Sequence, residues 1–386
     1  MFVSPLQLYI HIPYCIHKCH YCDFNSHVRE QPDWQAYQLA LISELKHWVS
    51  HPAYHHRVLH SIFIGGGTPS LAPPSLVAAI LACAKQCFDF EKDIEITLEA
   101  NPGTVDVQAF QGFYDAGVNR LSMGVQSLNQ KELQWLERIH SCDDVYQAFD
   151  IARSVGFQNI NLDLMYGLPK QSLEQWQTSL DAIIDFGAEH LSCYQLTVEP
   201  HTKLAARHAT SPYALPDDDL SLSFFHHTRH RLADAGYAAY EISNFSQQGK
   251  KCRHNDGYWL YHDYIGIGAG ASGKWDDAMG ATHRYSNKKS PESYMRQLTT
   301  CGKSILSEEI LSLEKAAAEA VWIGLRRSQG IDGAWFQQRF KQSILSYFQQ
   351  DLEPWLQSGH LIWQDTKLQL TDKGIPLTDA VASTVF

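Results

Sequence analysis

Between positions 8 and 196, short apolar runs alternate with longer stretches in which apolar residues recur at every third or fourth position. The short runs predict β-strands and the longer stretches predict amphipathic helices, a rhythm typical of parallel βα units. We place strands at 8–11, 61–64, 94–99, 120–124, 159–164 and 191–196. We place helices at 34–49, 75–87, 107–116, 144–154 and 173–186.

Six such repeats predict an α/β fold of the partial (β/α)6 barrel type, rather than a closed barrel of eight units. In parallel barrels the loops at the carboxyl ends of the strands form the working face. We therefore expect the chemistry of this chain to lie on those loops.

The remainder of the chain predicts two smaller parts. We assign residues 1–236 to the barrel and 237–288 to an aromatic and glycine-rich appendage that closes it. Residues 289–386 are expected to form a small helical and winged domain, with helices at 312–326 and 343–357 on either side of a short loop. Short apolar runs at 361–363 and 367–370 predict the two strands of the wing.

Composition excludes several classes of partner. The chain of 386 residues has a formal net charge of -11, whereas nucleic acids and anionic lipids need clustered Lys and Arg. No stretch approaches the roughly 20 apolar residues of a membrane-spanning helix. The first five residues lack the basic region and apolar run of a secretory signal, so we expect a cytoplasmic protein.

The nine cysteines are an odd number in a long chain, which argues against a disulfide framework. Three of them, Cys15, Cys19 and Cys22, fall within eight residues directly after the first strand. A four-iron cluster normally takes four cysteines, so three thiolates leave one iron open for a substrate. The alternative is a zinc site completed by a nearby histidine. The histidines concerned are His17, His20 and His27.

The CxxxCxxC spacing after a first strand resembles the signature of the radical S-adenosylmethionine (SAM) superfamily. That resemblance implies a four-iron four-sulfur cluster on Cys15, Cys19 and Cys22, and SAM bound through its amino and carboxylate groups at the open iron. The other six cysteines are scattered, and we expect them to be buried or inert.

Further polar and glycine residues follow the predicted strands. Gly65-Gly66-Gly67-Thr68-Pro69 ends the second strand, where residues without side chains would let backbone N–H groups approach a ligand. Glu99, Gln126, Arg138 and Asp163 lie at or beyond the ends of later strands. Carboxylates suit ribose hydroxyls, and an arginine suits the carboxylate of an amino acid. The alternative for each of them is a structural ion pair.

Four longer motifs give a closer resemblance. They are Tyr9-Ile-His-Ile-Pro-Tyr-Cys15, the glycine segment, Arg120-Leu-Ser-Met-Gly-Val-Gln126 and Asn161-Leu-Asp-Leu-Met-Tyr-Gly-Leu-Pro169. Together they resemble the oxygen-independent coproporphyrinogen III oxidase group. The resemblance implies that SAM contacts Tyr9, Tyr21, Gly66, Gly67, Thr68, Glu99, Gln126, Arg138 and Asp163.

Two departures within that group favour its heme chaperone branch, of the HemW type. The oxidases resemble CxxxCxxCxC, and here Phe24 occupies the last cysteine position. The segment His254-Asn-Asp-Gly-Tyr-Trp259 resembles the HNxxYW motif that the chaperone branch associates with heme. An imidazole beside aromatic rings suits a porphyrin and its iron. The alternative for His254 is a histidine satisfied inside an aromatic core.

The resemblance therefore implies a protein that binds heme and passes it to an acceptor apoprotein. The alternative function is oxidative decarboxylation of coproporphyrinogen III, as an oxygen-independent dehydrogenase. An electron donor and a second copy of the chain are the further partners that we consider. The other histidine groups, at positions 51–60 and 226–227, are expected to be solvated surface.

Overall fold

The computed structural model of the chain describes residues 4–386, so the first three positions of the amino-terminal segment lie outside the described residues. Strands β1 to β17 are Leu6–Ile12, Tyr14–Cys15, His27–Val28, Val58–Gly66, Asp89–Ala100, Arg120–Gln126, Ile160–Tyr166, His190–Gln195, Ala238–Ala239, Asn244–Ser246, Asp263–Ile267, Ser272–Asp276, Thr282–Asn287, Ile305–Leu311, Ile331–Asp332, Leu361–Gln364 and Lys367–Leu370. Helices α1 to α14 are Trp34–Val49, Pro74–Cys87, Val107–Asp115, Gln130–Trp135, Cys142–Val155, Leu173–Ile184, Lys203–Thr210, Asp218–Asp234, Arg253–Trp259, Pro291–Cys301, Leu313–Gly324, Gly333–Phe340, Ile344–Gln357 and Thr378–Ala382.

One sheet organises the larger part of the molecule. Its strand order is β14-β13-β12-β11-β1-β4-β5-β6-β7-β8-β10-β9. The seven strands from β11 to β8 run parallel, and the pairs outside them are antiparallel. The six predicted strands are β1, β4, β5, β6, β7 and β8, which confirms the predicted barrel repeats.

Alternation along the strands separates an apolar layer from a polar interior. In β1, Leu6, Leu8, Ile10 and Ile12 are buried in the hydrophobic core. The residues between them, Gln7, Tyr9 and His11, contact side chains or backbone of other elements through hydrogen bonds or ring packing. Because side chains alternate across a strand, the polar set lies on the opposite face from the helices.

Helix α1 fastens the antiparallel part of the sheet to the barrel through one buried carboxylate. Glu44 accepts hydrogen bonds from the Gly268 N–H at 2.9 Å, the Tyr294 hydroxyl at 2.6 Å and the Asn287 amide at 2.7 Å. Burial raises the pKa of Glu44 to about 7. The main sheet continues past position 288 as far as β14, because α10 packs on α1 and β14 pairs with β13.

The second hydrophobic core gathers residues from Leu311 onward, together with Tyr261. The predicted helices and wing strands appear as α11, α13, β16 and β17, and β15 makes the wing three-stranded. The prediction of a short loop between those two helices is wrong, because helix α12 lies between them. Asp332 caps this helix, while Phe336 and Phe340 lie one turn apart and are buried.

The two cores are joined by ion pairs. Arg327 Nε lies 2.8 Å from an oxygen of Asp256 on α9, and Arg339 Nη2 lies 2.7 Å from an oxygen of Asp276 at the end of β12. Among residues 4–386, no helix is both long and apolar enough to cross a membrane.

Candidate functional site

Two short paired strands enclose the segment of the three clustered cysteines: Cys15 ends the first strand, and Cys19 and Cys22 lie on the loop between the strands. Tyr14–Cys15 and His27–Val28 pair in parallel, with Tyr14 opposite His27 and Cys15 opposite Val28. The loop follows β1 at its carboxyl end, as the position of the cysteines directly after the first predicted strand indicated. The pairing closes the loop at its base and holds the cysteine-bearing segment over the end of the sheet.

Each thiol has different surroundings. The Thr68 hydroxyl donates a hydrogen bond to the Cys15 sulfur at 3.4 Å, and Arg138 Nη1 lies 3.7 Å from the Cys19 sulfur. Burial raises the pKa of Cys15 and of Cys22, and in Cys15 the Thr68 hydrogen bond opposes that effect. The Arg138 guanidinium therefore places a positive charge beside the Cys19 sulfur.

The glycine turn after β4 holds the cysteine loop rather than presenting free N–H groups. The Gly67 N–H donates to the carbonyl of Ile12 at 2.8 Å, and the Thr68 N–H donates to that of Tyr14 at 2.9 Å. The Gly66 N–H donates to Glu99 at 3.0 Å. Each of these three N–H groups thus has a protein acceptor in this structure, and a SAM contact at Gly66, Gly67 and Thr68 stays a prediction from the resemblance.

Glycine is nevertheless required in this turn. A Cβ atom on Gly67 would lie 2.7 Å from the Tyr14 carbonyl oxygen and 2.9 Å from the Cys15 sulfur. Gly66 has a φ of 124°, a conformation that residues with side chains rarely adopt. The turn therefore uses the missing side chains for close packing against the cysteine loop.

Polar side chains from the strand ends surround the thiols. Burial raises the pKa of Glu99 to about 8, and burial also raises the pKa of Asp163, which accepts a hydrogen bond from Asn161 at 2.8 Å. Gln126 accepts from the Tyr194 hydroxyl at 2.6 Å and has a φ of 70°, which is uncommon outside glycine. Arg138 donates to the Gly124 carbonyl at 2.8 Å and leaves its buried Nε without a partner among residues 4–386.

One cavity of about 500 Å3 collects these groups. Its lining includes most of the predicted site residues: Cys15, Cys19, Cys22, Tyr21, Gly66, Gly67, Thr68, Glu99, Gln126, Arg138 and Asp163. Thiols, carboxylates, an amide and a guanidinium at one cavity can bind a metal cluster and an amino acid with a nucleoside. Volume and donor set fit a three-thiolate cluster with SAM.

Tyr9 stands slightly apart from that cavity. Its hydroxyl is hydrogen-bonded to His11 Nδ1 at 2.9 Å, and its ring stacks on Phe63. It lines a neighbouring cavity that shares Gly66 and Glu99 with the main one. Tyr9 therefore lies beside the main cavity and does not line it.

Several lining residues escaped the sequence analysis. Ser122, Asn161, Ser192 and Tyr194 all line the main cavity. Each stands on a parallel strand at an alternate position to buried apolar residues. Polar residues at every second place of an otherwise apolar strand were the signal that could have identified them.

His254 lies outside the main cavity, although its neighbour Asn255 lines it. The His254 side chain is fully buried, with Nδ1 hydrogen-bonded to Ser61 at 3.0 Å and Nε2 to Tyr258 at 2.9 Å. Burial lowers the pKa of His254 to about 3, so the ring is neutral at pH 7. In this conformation both ring nitrogens have protein partners.

The three histidines of the cysteine loop make contacts of their own. His17 and His20 lie 3.4 Å and 3.7 Å from Glu137, and His27 Nε2 lies 3.1 Å from the Lys289 carbonyl. In residues 4–386, no three His, Cys, Asp or Glu side chains come close enough to hold one metal ion. An iron–sulfur cluster differs from a mononuclear site, because each of its thiolates binds a different iron.

Known proteins resemble this chain in sequence. Residues 9–183 match the Radical SAM superfamily, and residues 311–377 match the HemN C-terminal domain. Heme chaperone HemW of Haemophilus influenzae is 45% identical over 76% of each chain. The protein of that name from Escherichia coli is 42% identical over 76% of each chain, and that from Lactococcus lactis is 32% identical over 99% of this chain and 97% of its own.

One solved structure resembles the whole fold. Coproporphyrinogen III oxidase (HemN) from Escherichia coli, a radical SAM enzyme, superposes with a TM-score of 0.85 at 24% identity. The match covers 99% of this chain and 90% of the oxidase. At that identity the likeness shows the fold alone.

A partial barrel with three cysteines on the loop after its first strand defines a radical SAM protein, with a four-iron four-sulfur cluster and SAM as its cofactors. Within that superfamily, identities of 32% to 45% over most of the chain place it in a narrower group. The chain belongs to the HemW heme chaperone family.

Proposed function

We propose that this chain is a heme chaperone that binds heme and passes it to an acceptor apoprotein in the cytoplasm. The observation that carries the proposal is the set of HemW relatives, one of which matches 99% of this chain. All nine cysteines are free, as expected in a reducing compartment. An electron donor for the cluster and a second copy of the chain are proposed as further partners.

Cys15, Cys19 and Cys22 are the proposed ligands of the cluster. Their support is that all three line one cavity at the carboxyl ends of the parallel strands. When bound, the cluster supplies an open iron and an electron for chemistry on SAM. Thr68 and Arg138 orient two of the thiols, because each makes a polar contact with a sulfur atom.

The proposed SAM contacts include one cationic side chain and two acidic side chains, which suit different parts of the cofactor. Arg138 offers a cation to the amino-acid carboxylate, and its unpartnered Nε shows spare donor capacity among the described residues. Glu99 and Asp163 offer acceptors for hydroxyl groups. Tyr9, Tyr21, Gly66, Gly67, Thr68 and Gln126 complete the proposed set.

The proposed contact of His254 with heme needs a change of partners. Its ring nitrogens are hydrogen-bonded to Ser61 and Tyr258, and its side chain has no exposure to solvent. Iron could bind only after one of these hydrogen bonds breaks. The contact therefore stays a prediction from the resemblance.

The test is anaerobic reconstitution with iron and sulfide, followed by heme titration and, in parallel, an assay of coproporphyrinogen III conversion. We expect saturable heme binding, release of heme to an apoprotein and no porphyrin product. SAM-dependent formation of protoporphyrinogen IX without tight heme binding would instead make the protein a decarboxylating dehydrogenase. Phe24→Cys is an informative companion variant, because it introduces the cysteine that the oxidases carry at the corresponding position.

A further inference from the structure

The main cavity extends from the cysteine loop into the barrel, along strand β6. Arg120 and Ser122 line it together with Gln126. Arg120 begins β6 and Gln126 ends it, a separation of roughly 20 Å along an extended strand. We call the part lined by Arg120, Ser122, Asn161 and Asn244 the inner end of the cavity. It lies toward the amino-terminal start of β6, away from the cysteine loop.

Arg120 is a buried cation without an ion pair. Its side chain lines the cavity and is 1% exposed. Nη1 makes one long hydrogen bond, to Thr97 Oγ1 at 3.5 Å, and Nε has no partner among residues 4–386. A charge taken out of water is costly unless an opposite charge or strong hydrogen bonds compensate it. The described protein groups leave most of the guanidinium donors of Arg120 unused.

The carboxylates on the two neighbouring strands are held by other donors. Glu95 on β5 accepts hydrogen bonds from the N–H groups of the first two residues of α9, at 3.0 Å and 3.1 Å. Asp163 on β7 accepts from the Asn161 amide at 2.8 Å. Neither carboxylate forms an ion pair with Arg120 within the described part of the chain. The charge of Arg120 is therefore available to a ligand.

Ser122 offers a second free donor on the same face of β6. Its oxygen accepts from the Asn161 amide at 2.8 Å, and its own proton goes to no acceptor within residues 4–386. The Cα atoms of alternate strand residues are roughly 7 Å apart, so one small group can contact both side chains. A carboxylate only accepts, and its two oxygens suit a guanidinium together with a hydroxyl.

SAM does not supply a carboxylate to this position. It has one carboxylate, and the resemblance implies that this group binds the open iron of the cluster. The cluster cysteines lie at the carboxyl ends of the strands, whereas Arg120 begins β6. A carboxylate beside Arg120 therefore belongs to a second molecule.

We propose that the inner end of the cavity binds a carboxylate group of a ligand other than SAM, through the Arg120 guanidinium and the Ser122 hydroxyl. A propionate side chain of heme and a small free carboxylic acid share this chemistry. The site goes beyond the proposed function, since it stands whether or not the chain carries heme.

The test uses propionate as the probe, on the reconstituted full-length protein saturated with SAM. Propionamide is the matched neutral probe, because it has nearly the same shape without the charge. A ligand that binds only the folded state raises the midpoint of thermal unfolding. We expect propionate to raise the midpoint as its concentration increases, and propionamide to leave it unchanged. A midpoint that propionate does not raise, or raises only without SAM, overturns the site.

Arg120→Met keeps the length of the side chain and removes its charge. We expect propionate to bind this variant roughly tenfold or more weakly. Without propionate the variant should be as stable as the wild type or more so, because no ion pair is lost. Arg231→Met is the control, since Arg231 on α8 pairs with Asp181 and does not line the cavity. It should respond to propionate as the wild type does.

Ser122→Ala keeps the proposal testable if Arg120→Met does not fold. Loss of one neutral donor should weaken propionate binding roughly two- to tenfold. Unchanged propionate affinity in either folded variant would make that residue structural and overturn the two-donor site.

Heme and its dimethyl ester distinguish the two sources of the carboxylate. If a heme propionate fills the site, Arg120→Met should bind heme more weakly and the ester as the wild type does. If a small acid fills it, the variant should bind heme normally and still lose the response to propionate. Failure of the wild type to bind heme overturns the chaperone function alone, whereas failure of propionate to stabilise the wild type overturns this site alone.

Discussion

The thiols of Cys15, Cys19 and Cys22 line one cavity. Two of them have different polar partners, since the Thr68 hydroxyl contacts the Cys15 sulfur and the Arg138 guanidinium contacts the Cys19 sulfur. A cluster with only three thiolates has no spare ligand. Each of the three is therefore expected to be individually necessary.

Replacing any one of Cys15, Cys19 and Cys22 by alanine should strongly reduce the iron and sulfide bound after reconstitution, because one iron loses its only protein ligand. Iron analysis and the visible absorption spectrum measure the effect. Cys301→Ala is the control, since Cys301 is exposed and remote in sequence. A variant of the three that retains a full cluster would show that its thiol is not a ligand.

Gly67→Ala should lower cluster content while the barrel stays folded. The added methyl group would meet the Tyr14 carbonyl and the Cys15 sulfur at less than 3 Å, so the loop must move away from β4. Gly117→Ala is a control for strain, because Gly117 has a φ of 104° with no atom near the added Cβ. Circular dichroism and iron content together distinguish loop displacement from unfolding.

Glu44 shows how one side chain fixes the relation of three elements. From helix α1 it binds the Gly268 N–H after β11, Asn287 at the end of β13 and Tyr294 on α10. A buried carboxylate with three donors is stable only while those donors stay in place. Its protonation is therefore coupled to the docking of these elements.

The raised pKa of Glu44 predicts a pH dependence of stability. The folded pKa is about 7 against an ordinary value of 4.5, so the folded protein holds the proton more tightly than the unfolded chain. Its contribution to stability is therefore full below pH 4.5 and is lost as the pH rises toward 7, by on the order of 3 kcal/mol.

Thermal unfolding of the wild type and Glu44→Gln across pH 4.5 to 7 tests this coupling. The wild type should lose stability relative to the variant as the pH rises, because only the wild type can ionise at this position. Glu308→Gln, on the exposed β14, should follow the wild type. Parallel curves for the wild type and Glu44→Gln would mean that Glu44 does not titrate in this interval.

Two arginines join the carboxyl-terminal core to the rest of the chain. Arg327 and Arg339 pair with Asp256 and Asp276, and all four side chains are less than one quarter exposed. Removing one partner of a part-buried pair leaves the other charge without compensation. These contacts therefore couple α9 and the β12–β13 hairpin to the second core.

The double variant Arg327→Ala/Arg339→Ala should open this junction without unfolding the barrel. We expect backbone hydrogen exchange in α9 and the hairpin to accelerate by about tenfold or more, with little change in β4 to β7. Arg29→Ala is the control, since Arg29 and Glu292 are both at least half exposed. Uniform acceleration throughout the chain would show that the pairs stabilise the whole fold instead.

The linear sequence was sufficient for those features that depend on near neighbours. The six parallel strands and five helices of the barrel were predictable, because hydrophobic periodicity reports which face of each element is buried. The cysteine loop was predictable as well, since the spacing of Cys15, Cys19 and Cys22 is local. Strand order then brought Glu99, Gln126 and Asp163 to the same end of the sheet.

Only the tertiary structure decided which groups meet across long separations in the chain. β11 pairs with β1, Tyr194 meets Gln126, and the glycine turn binds the cysteine loop with the N–H groups that were expected to face a ligand. His254 lies in the core, and both of its ring nitrogens are hydrogen-bonded to protein groups. Periodicity specifies burial of one face, whereas the partner of each polar group depends on how distant segments pack.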